Sequence, residues 1–318
     1  MKQGKVSLAL CTFNGERYLD EQLASLVRQT RFPDELIVCD DCSTDGTIEI
    51  LRRFSETAPF PIHITVNDKC LGPAANFGKA AGLCSGDIVF FCDQDDVWHE
   101  NKIEVEIAAM VEAERGAGAD TPILVHADLE VVDKSLAPLY PSFMGLMHPK
   151  LELFNMSYIL GDNVAVGCAT AVNRALLEVA LPLPRQAVMH DWWFAQCAAG
   201  CGKIVYIDQP LMQYRQHQSN QIGASSWLER LSSALLAPRR QWKRRLASFR
   251  TAVVQAKALE ERLAARSCDM KINRQTISDY AALLDAGVAA RVRRTFRHGY
   301  GRSGRLGMLW FLIKAIFA

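Results

Sequence analysis

Short apolar runs that end in polar residues alternate with stretches of helical spacing through the first third of the chain. Val6 to Cys11 and Leu36 to Cys39 have strand length, and between them Leu19, Leu23, Leu26 and Val27 mark one face of a helix over residues 18–29. The same reading predicts a helix over 44–54, a strand over 62–66, a helix over 74–84 and a strand over 88–92. Such alternation implies a parallel sheet covered on both faces, with ligands bound beyond the carboxyl ends of its strands. Further on, residues 102–114 read as a charged helix and 116–119 as a loop. Residues 123–126 and 129–132 read as two later strands, and 161–172 and 204–207 as extensions of the same domain. From Trp227 the pattern turns helical and arginine-rich, with a break near Pro238-Arg239-Arg240. The expected division is an α/β domain over residues 1–226 and a helical, basic region over 227–318.

Composition changes this picture in two places. The net charge of +1 hides a polarity along the chain: residues 1–238 hold 18 basic and 30 acidic side chains, residues 239–318 hold 18 and 5. The basic part is expected to meet something anionic, a phospholipid surface or a phosphate-bearing acceptor. Its last segment sets Arg293, Arg294, Arg297, Arg302 and Arg305 ahead of an apolar stretch over 307–317, which contains Trp310 and Phe311. That stretch is too short to span a bilayer, which takes about twenty residues, but long enough to lie in an interface. The competing reading is a terminal helix packed on the protein or on a second subunit. No stretch at the start has the order of a secretory signal, so a cytoplasmic protein is expected, peripheral on the inner face of the membrane.

The ten cysteines mostly sit within apolar runs, as Cys11, Cys39, Cys92 and Cys168 do, and read as reduced core residues. Cys39-Asp40-Asp41-Cys42 has C-x-x-C spacing. Its two acids would raise the thiol pKa values, and no second pair completes a zinc site, so it is not read as a redox or metal motif.

The part of the chain best suited to chemistry is Asp93-Gln94-Asp95-Asp96, directly after the apolar run 88–92. A turn after a strand can aim two such carboxylates at one divalent cation and its phosphate ligand. The plainer account is a polar turn, with Asp96 capping a helix that starts near Val97.

Four separated motifs resemble family 2 glycosyltransferases with the GT-A fold. They are Thr12-Phe13-Asn14-Gly15-Glu16; Asp40-Asp41-Cys42-Ser43-Thr44-Asp45-Gly46-Thr47, in which Cys42 replaces a glycine of the family pattern; the Asp93/Asp95 pair; and His190-Asp191-Trp192-Trp193 with Gln213-Tyr214-Arg215-Gln216-His217. The last two segments resemble the subset that contains rhamnosyltransferases. The resemblance covers residues 5 to about 225. It implies a Rossmann-like domain with a mixed, mainly parallel sheet, followed by the helical basic extension.

The resemblance also implies roles for single residues. Asp40 or Asp41 would accept a hydrogen bond from the imide N–H of uracil or thymine. Thr12, Phe13 and Asn14 would line base and ribose with Glu16 close by, or Glu16 would serve as helix-start charge. Asn76 would face the nucleotide, Asp93 would sit near the ribose, and Arg215 would pair with the diphosphate. Asp95 and His217 would ligate Mn²⁺ or Mg²⁺, the imidazole suiting Mn²⁺ better. Asp191 is the candidate base that takes the acceptor hydroxyl's proton during inverting transfer. His190, Trp192, Trp193, Asp96 and Asp128 would belong to the acceptor and sugar pocket.

The expected reaction moves a sugar, rhamnose from dTDP-rhamnose or a hexose from a UDP donor, to a saccharide or lipid-linked acceptor in cell-surface polysaccharide synthesis. A nucleotidyltransferase would carry a glycine-rich, arginine-containing loop after the first strand, and residues 12–16 are unlike that. A noncatalytic scaffold working through residues 239–318 would have no reason to keep Asp93, Asp95, Asp191 and His217 together.

Overall fold

The protein was analysed as a computed structural model, which describes residues 4–147, 154–217, 238–266, 273–301 and 305–318. The expected boundary at 226/227 and the start of the helical pattern at Trp227 lie outside the described residues. The first half builds β1 (Val6–Thr12), α1 (Leu19–Leu26), β2 (Glu35–Asp40), α2 (Thr47–Ser55), β3 (Ile62–Val66), α3 (Pro73–Leu83) and β4 (Ile88–Cys92). These are followed by β5 (Val97–Trp98), α4 (Lys102–Ala117), β6 (Ile123–Val132) and β7 (Pro138–Tyr140). Then come α5 (Phe143–Met147), α6 (Met156–Ile159), β8 (Thr170–Asn173), α7 (Arg174–Ala180), α8 (His190–Cys201) and β9 (Lys203–Arg215).

The strands form one sheet in the order β3-β2-β1-β4-β8-β6-β9-β5, with β7 on β6. Strands β3, β2, β1 and β4 are mutually parallel, as the alternating pattern predicts. Parallel pairing stops there, because β8 runs antiparallel to both β4 and β6, while β9 is parallel to β6 and β5 antiparallel to β9. Two sequence expectations change. Val97 and Trp98 pair with Gln213 and Met212, so no helix begins there and Asp96 caps none; α4 starts at Lys102. The two short strands at 123–126 and 129–132 are one strand, β6, whose register against β9 slips around Asp128.

Side-chain alternation divides the core between the two faces of the sheet. Leu8 and Leu10 of β1 join Leu19, Leu23, Leu26 and Ile107 under α1 and α4. Ala9 and Cys11 face the opposite way, with Phe77 of α3 and Trp193 and Phe194 of α8.

That second layer continues into the C-terminal helices α9 (Pro238–Ala265), α10 (Arg274–Ala281), α11 (Val288–His298) and α12 (Arg305–Phe317). Phe249, Val253, Leu259, Leu263, Tyr280, Tyr300 and Phe311 are all buried in the same cluster as Trp193. Gln255 on α9 accepts from the backbone N–H of Val188 at 2.6 Å and donates to Gln196 of α8 at 2.9 Å. Arg262 donates to the carbonyls of Ala180 and Pro182 and lies over the Trp193 ring. The helical region is thus packed into the α/β layer.

Only one edge of the terminal apolar stretch faces outward. Phe311, Leu312 and Ala315 are buried, whereas Leu309, Trp310 and Phe317 are at least half exposed. Trp242 packs against Phe317 and the Arg245 guanidinium lies 5.2 Å from the Trp310 ring centre, so the outward edge is aromatic and basic together. No helix among the described residues is long and apolar enough to cross a membrane.

Candidate active site

The carboxyl ends of β1, β2 and β4 open toward one side, and the loops that leave them line a cleft of about 1780 Å³. Thr12, Phe13, Asn14, Asp41, Asn76, Asp93, Asp95, His190, Asp191, Trp192 and His217 all contribute to its wall. Asp95 and Asp191, assigned opposite ends of the chemistry, share this one space.

The loops that follow β1 and β2 are tied to each other by side-chain hydrogen bonds. Asn14 has φ 48°, a left-handed conformation that asparagine tolerates, and its side chain accepts from the N–H of Thr44 at 2.8 Å. Asp40 is fully buried and does not reach the cleft; it accepts from Thr12 Oγ1 at 2.7 Å and from the Ser43 N–H at 2.8 Å, holding the first two loops in register. Glu16 also lies off the wall, accepting from the N–H of Gly46, the residue before α2. Of Asp40 and Asp41, Asp41 is the one on the cleft wall. Its carboxylate accepts from the N–H groups of Leu71 (2.7 Å) and Gly72 (2.8 Å) and from Asn67 Nδ2 (2.9 Å). Asn67 also donates to Asn76 Oδ1, and Asn76 donates to the Cys39 carbonyl, so Asn76 is held rigidly with one edge toward the cleft.

At the exit of β4 the acids separate by environment. Asp95 places Oδ2 2.8 Å from His217 Nε2, and the imidazole packs on Tyr18 with ring centres 4.8 Å apart. Asp93 is pushed up to about 7 by desolvation and then by the charges of Asp95 and Asp191. Asp96 points inward, fully buried, with one oxygen accepting from the Arg215 N–H and the other unpartnered; desolvation and the Asp95 and Asp93 charges raise it well above the carboxylate range. It is absent from the cleft wall, so the sugar-pocket expectation does not fit its position.

Arg215 is likewise buried and absent from the cleft wall, so the expectation that it pairs with a diphosphate does not fit its position. Its guanidinium pairs with Glu21, donates to the carbonyls of Asp95 and Lys134 at 2.8 Å, and covers the Tyr18 ring at 4.6 Å. It braces the loop that carries Asp95 against the end of β9 that carries His217.

Across the cleft, Asp191 lies in the first turn of α8. One of its oxygens accepts from the Trp192 N–H at 2.6 Å and the other from the Gly167 N–H at 3.1 Å. Burial pushes its carboxyl up to about 6, opposed by those hydrogen bonds and one from Asn163. His190 stacks on Phe77 at 4.0 Å with neither ring nitrogen partnered, and burial lowers it to about 3, so it is a neutral, largely apolar wall element and does not orient the base by a hydrogen bond. Trp192 faces the cleft with its Nε1–H on the Ile159 carbonyl. Trp193 is fully buried in the core, its Nε1–H on the Ala180 carbonyl, and takes no part in the pocket. Asp128 is also removed from it: its carboxylate accepts from Ser142 Oγ and from the N–H of Met144, fixing the start of α5.

Residues the sequence did not single out complete the wall. Gln94 makes two bonds to the Phe13 backbone, accepting from its N–H at 2.8 Å and donating to its carbonyl at 3.0 Å, and so joins the acidic loop to the first loop. Gly167 approaches His190 so closely that a Cβ there would meet the ring at 2.7 Å.

The donor set fits a divalent cation at the Asp95–His217 pair. A carboxylate oxygen and an imidazole nitrogen converge at the cleft wall, beside a second acid, Asp93, whose charge is poorly compensated. A second group, Asp93, Asp96 and Cys168, has three ligand atoms within 4.8 Å of one another. Asp96 and Cys168 are fully buried, and burial with the Asp96 and Asp93 charges raises the thiol further, so that cluster does not present an ion to substrate.

The family description "Glycosyl transferase family 2" matches residues 7–177. Among curated proteins the chain is similar to the dTDP-rhamnosyl transferase RfbG of Shigella flexneri, 27% identical over 248 residues, which cover 74% of this chain and 81% of that protein. It is similar also to the UDP-Glc:alpha-D-GlcNAc-diphosphoundecaprenol beta-1,3-glucosyltransferase WfgD of Escherichia coli, 28% identical over 175 residues, 54% of this chain and 62% of that one. Among solved structures, S. aureus TarS 1-349 in complex with UDP aligns with TM-score 0.56 at 19% identity, covering 92% of this chain and 72% of that one. The mannosyltransferase PcManGT from Pyrobaculum calidifontis, in complex with GDP-Man and Mn²⁺, aligns with TM-score 0.53 at 18% identity, covering 99% and 86%. These likenesses establish the GT-A fold, and with the match over residues 7–177 they establish that the chain is a glycosyltransferase belonging to family 2.

Proposed function

We propose that the protein is a metal-dependent, inverting glycosyltransferase that moves a sugar from a nucleoside diphosphate to a saccharide or lipid-linked acceptor during cell-surface polysaccharide synthesis. The observation that carries this reading is the placement of Asp95 and Asp191 in one cleft, with Asp191 fixed by two backbone N–H groups and raised to about 6. A carboxylate so poised is a competent base near neutral pH.

In this reading the base of the nucleotide lies by Asp41 and Asn76, against the exposed ring of Phe13, with Thr12 and Asn14 nearby. Asp93 faces the ribose side of the diphosphate. Asp95 and His217 would hold Mn²⁺ or Mg²⁺, which would supply charge neutralisation for the departing diphosphate. Asp191 accepts the proton of the acceptor hydroxyl as that oxygen attacks the anomeric carbon, and the Trp192 indole limits water at the same wall. Rhamnose from a dTDP donor is the favoured sugar because a relative similar over 74% of this chain is named a dTDP-rhamnosyl transferase. A hexose on UDP is the alternative, supported by the similarity to WfgD.

The basic, aromatic edge of α12 and α9 supports docking on the anionic inner face of the cytoplasmic membrane. Hydrolysis of a panel of nucleotide sugars, with and without Mn²⁺ and with no acceptor added, tests the reading. Slow, metal-dependent release of one nucleotide diphosphate is expected, and no metal-dependent affinity for dTDP or UDP would favour the noncatalytic scaffold instead.

A further inference from the structure

Cys42 stands in a conformation that a cysteine has no local reason to adopt. Its φ is 67°, in the left-handed region where glycine is favoured and a Cβ is penalised, yet its side chain has a specific destination. The Cys42 thiol points across to the loop after β3 and donates to the Asn67 carbonyl at 3.2 Å. From that same loop Cys70 returns the contact, its thiol donating to the carbonyl of Asp41 at 3.1 Å. The Cys70 sulfur therefore lies against the backbone next to Cys42, the Cys42 sulfur lies against the loop that carries Cys70, and the two thiols hydrogen-bond to each other. Cys39, the partner suggested by C-x-x-C spacing, is fully buried on β2.

We propose that Cys42 and Cys70 form a reversible disulfide that clasps the Asp41 loop to residues 67–72 at the rim of the cleft. Cys70 is exposed and lines the cleft, whereas Cys42 is half-buried. Burial and the neighbouring Cys70 thiol, followed by Asp41 and Asp40, push the Cys42 thiol up, so the exposed Cys70 reacts first. With oxidised glutathione as the oxidant, the Cys70 thiolate attacks one glutathione sulfur and releases a glutathione thiol. The Cys42 thiolate then attacks Cys70 Sγ of the mixed disulfide and releases the second glutathione. Two protein thiols become one S–S bond, glutathione disulfide is reduced to two thiols, and the two protons end on those thiols.

The bond would fix a geometry that exists already. Asp41 accepts from Leu71 and Gly72 on the same loop that Cys70 anchors, so closing the clasp holds the Asp41 carboxylate where it now lies. Nucleotide affinity should therefore survive oxidation, while the loop pair becomes harder to unfold.

The test treats the folded, full-length protein with oxidised glutathione and reads peptide masses, thermal midpoint and UDP affinity with Mn²⁺. Expected are a Cys42–Cys70 cross-linked peptide at a mass about 2 Da below the two reduced peptides, a midpoint raised by several degrees, and UDP affinity within about threefold of the reduced protein. Cys42→Gly, which suits the observed backbone, should fold and lose both the cross-link and the midpoint shift; Cys70→Ser should do the same. A stable glutathione adduct on Cys70, heavier by about 305 Da, with no cross-link would overturn the proposal. So would a fall in UDP affinity of more than about tenfold on oxidation, because the clasp would then distort the Asp41 loop. The affinity arm alone rests on the proposed nucleotide site: no UDP binding in either redox state counts against that site, and the peptide masses still decide the disulfide.

Discussion

Asp95 and His217, 122 positions apart in sequence, meet with Oδ2 and Nε2 2.8 Å from one another. The contact exists because β9 brings His217 back beside the exit of β4, while Arg215 pins that strand end to the Asp95 carbonyl and to Glu21. One oxygen and one nitrogen at the cleft wall are the paired donors through which metal dependence can be tested.

Asp95→Ala and His217→Ala should each weaken Mn²⁺-dependent nucleotide binding by about tenfold or more, a range typical of disturbed metal shells. Titration calorimetry with UDP or dTDP, with and without Mn²⁺, reads this directly. Unchanged metal dependence in both variants would remove the pair from the ion.

Asp191→Asn should spare nucleotide affinity, within about twofold, and cut turnover by about 10³ or more, since it removes the base and leaves the donor end untouched. With a folded-state value near 6, the active form is the carboxylate, so kcat/KM should fall as pH drops through about 6. Equal loss of nucleotide affinity in the Asp95 and Asp191 variants would refute this division of roles.

His190 makes the acid limb of stability steeper. Its folded value near 3 lies below the ordinary histidine value, so the unfolded chain binds the proton first. The stabilisation is complete above about pH 6.5 and is lost toward pH 3, at about 1.4 kcal/mol per pH unit. Asp191, raised in the fold, acts oppositely between about pH 6 and 4, so the comparison must keep it in place. His190→Leu should flatten the fall of the thermal midpoint between pH 6 and 4; a parallel fall in variant and parent would sink this account.

Membrane docking is best tested on the exposed edge. Removing residues 292–318 would take Tyr300, Phe311 and Ala315 out of the shared core, so loss of binding after truncation could reflect unfolding. Leu309→Ser with Trp310→Ser leaves those residues alone. The double variant should sediment several-fold less with anionic phospholipid vesicles and hydrolyse donor at the parental rate. Full retention on vesicles would eliminate this edge as the contact.

The parallel half of the sheet was readable because each strand is an apolar run and each helix has a periodic face. The antiparallel strands were not, since β5 and β7 have only two and three residues and β8 ends directly in α7. Motif spacing brought Asp41, Asp95, Asp191 and His217 to one cleft. Spacing does not tell which way a side chain points: Asp40, Asp96, Trp193 and Arg215 sit at motif positions or beside them, and Asp128 on β6 was a further candidate, but each is buried among protein partners. Gln94, Asn67 and Gly167 left no signal because their roles depend on loops distant in sequence. The terminal apolar stretch gave only half its meaning, because hydropathy could not separate Phe311, which is buried, from Trp310, which is exposed.

Gln255 of α9 holds the backbone at Val188, two residues before α8 and three before Asp191, from 67 positions further along the chain. While the nascent chain is still short of α9, Trp193 and Phe194 lack their cover and the entry to α8 lacks its tether. The cleft wall that carries Asp191 is therefore finished only once α9 has been made, so a product terminated before that helix would expose a sticky apolar face to chaperones and proteases.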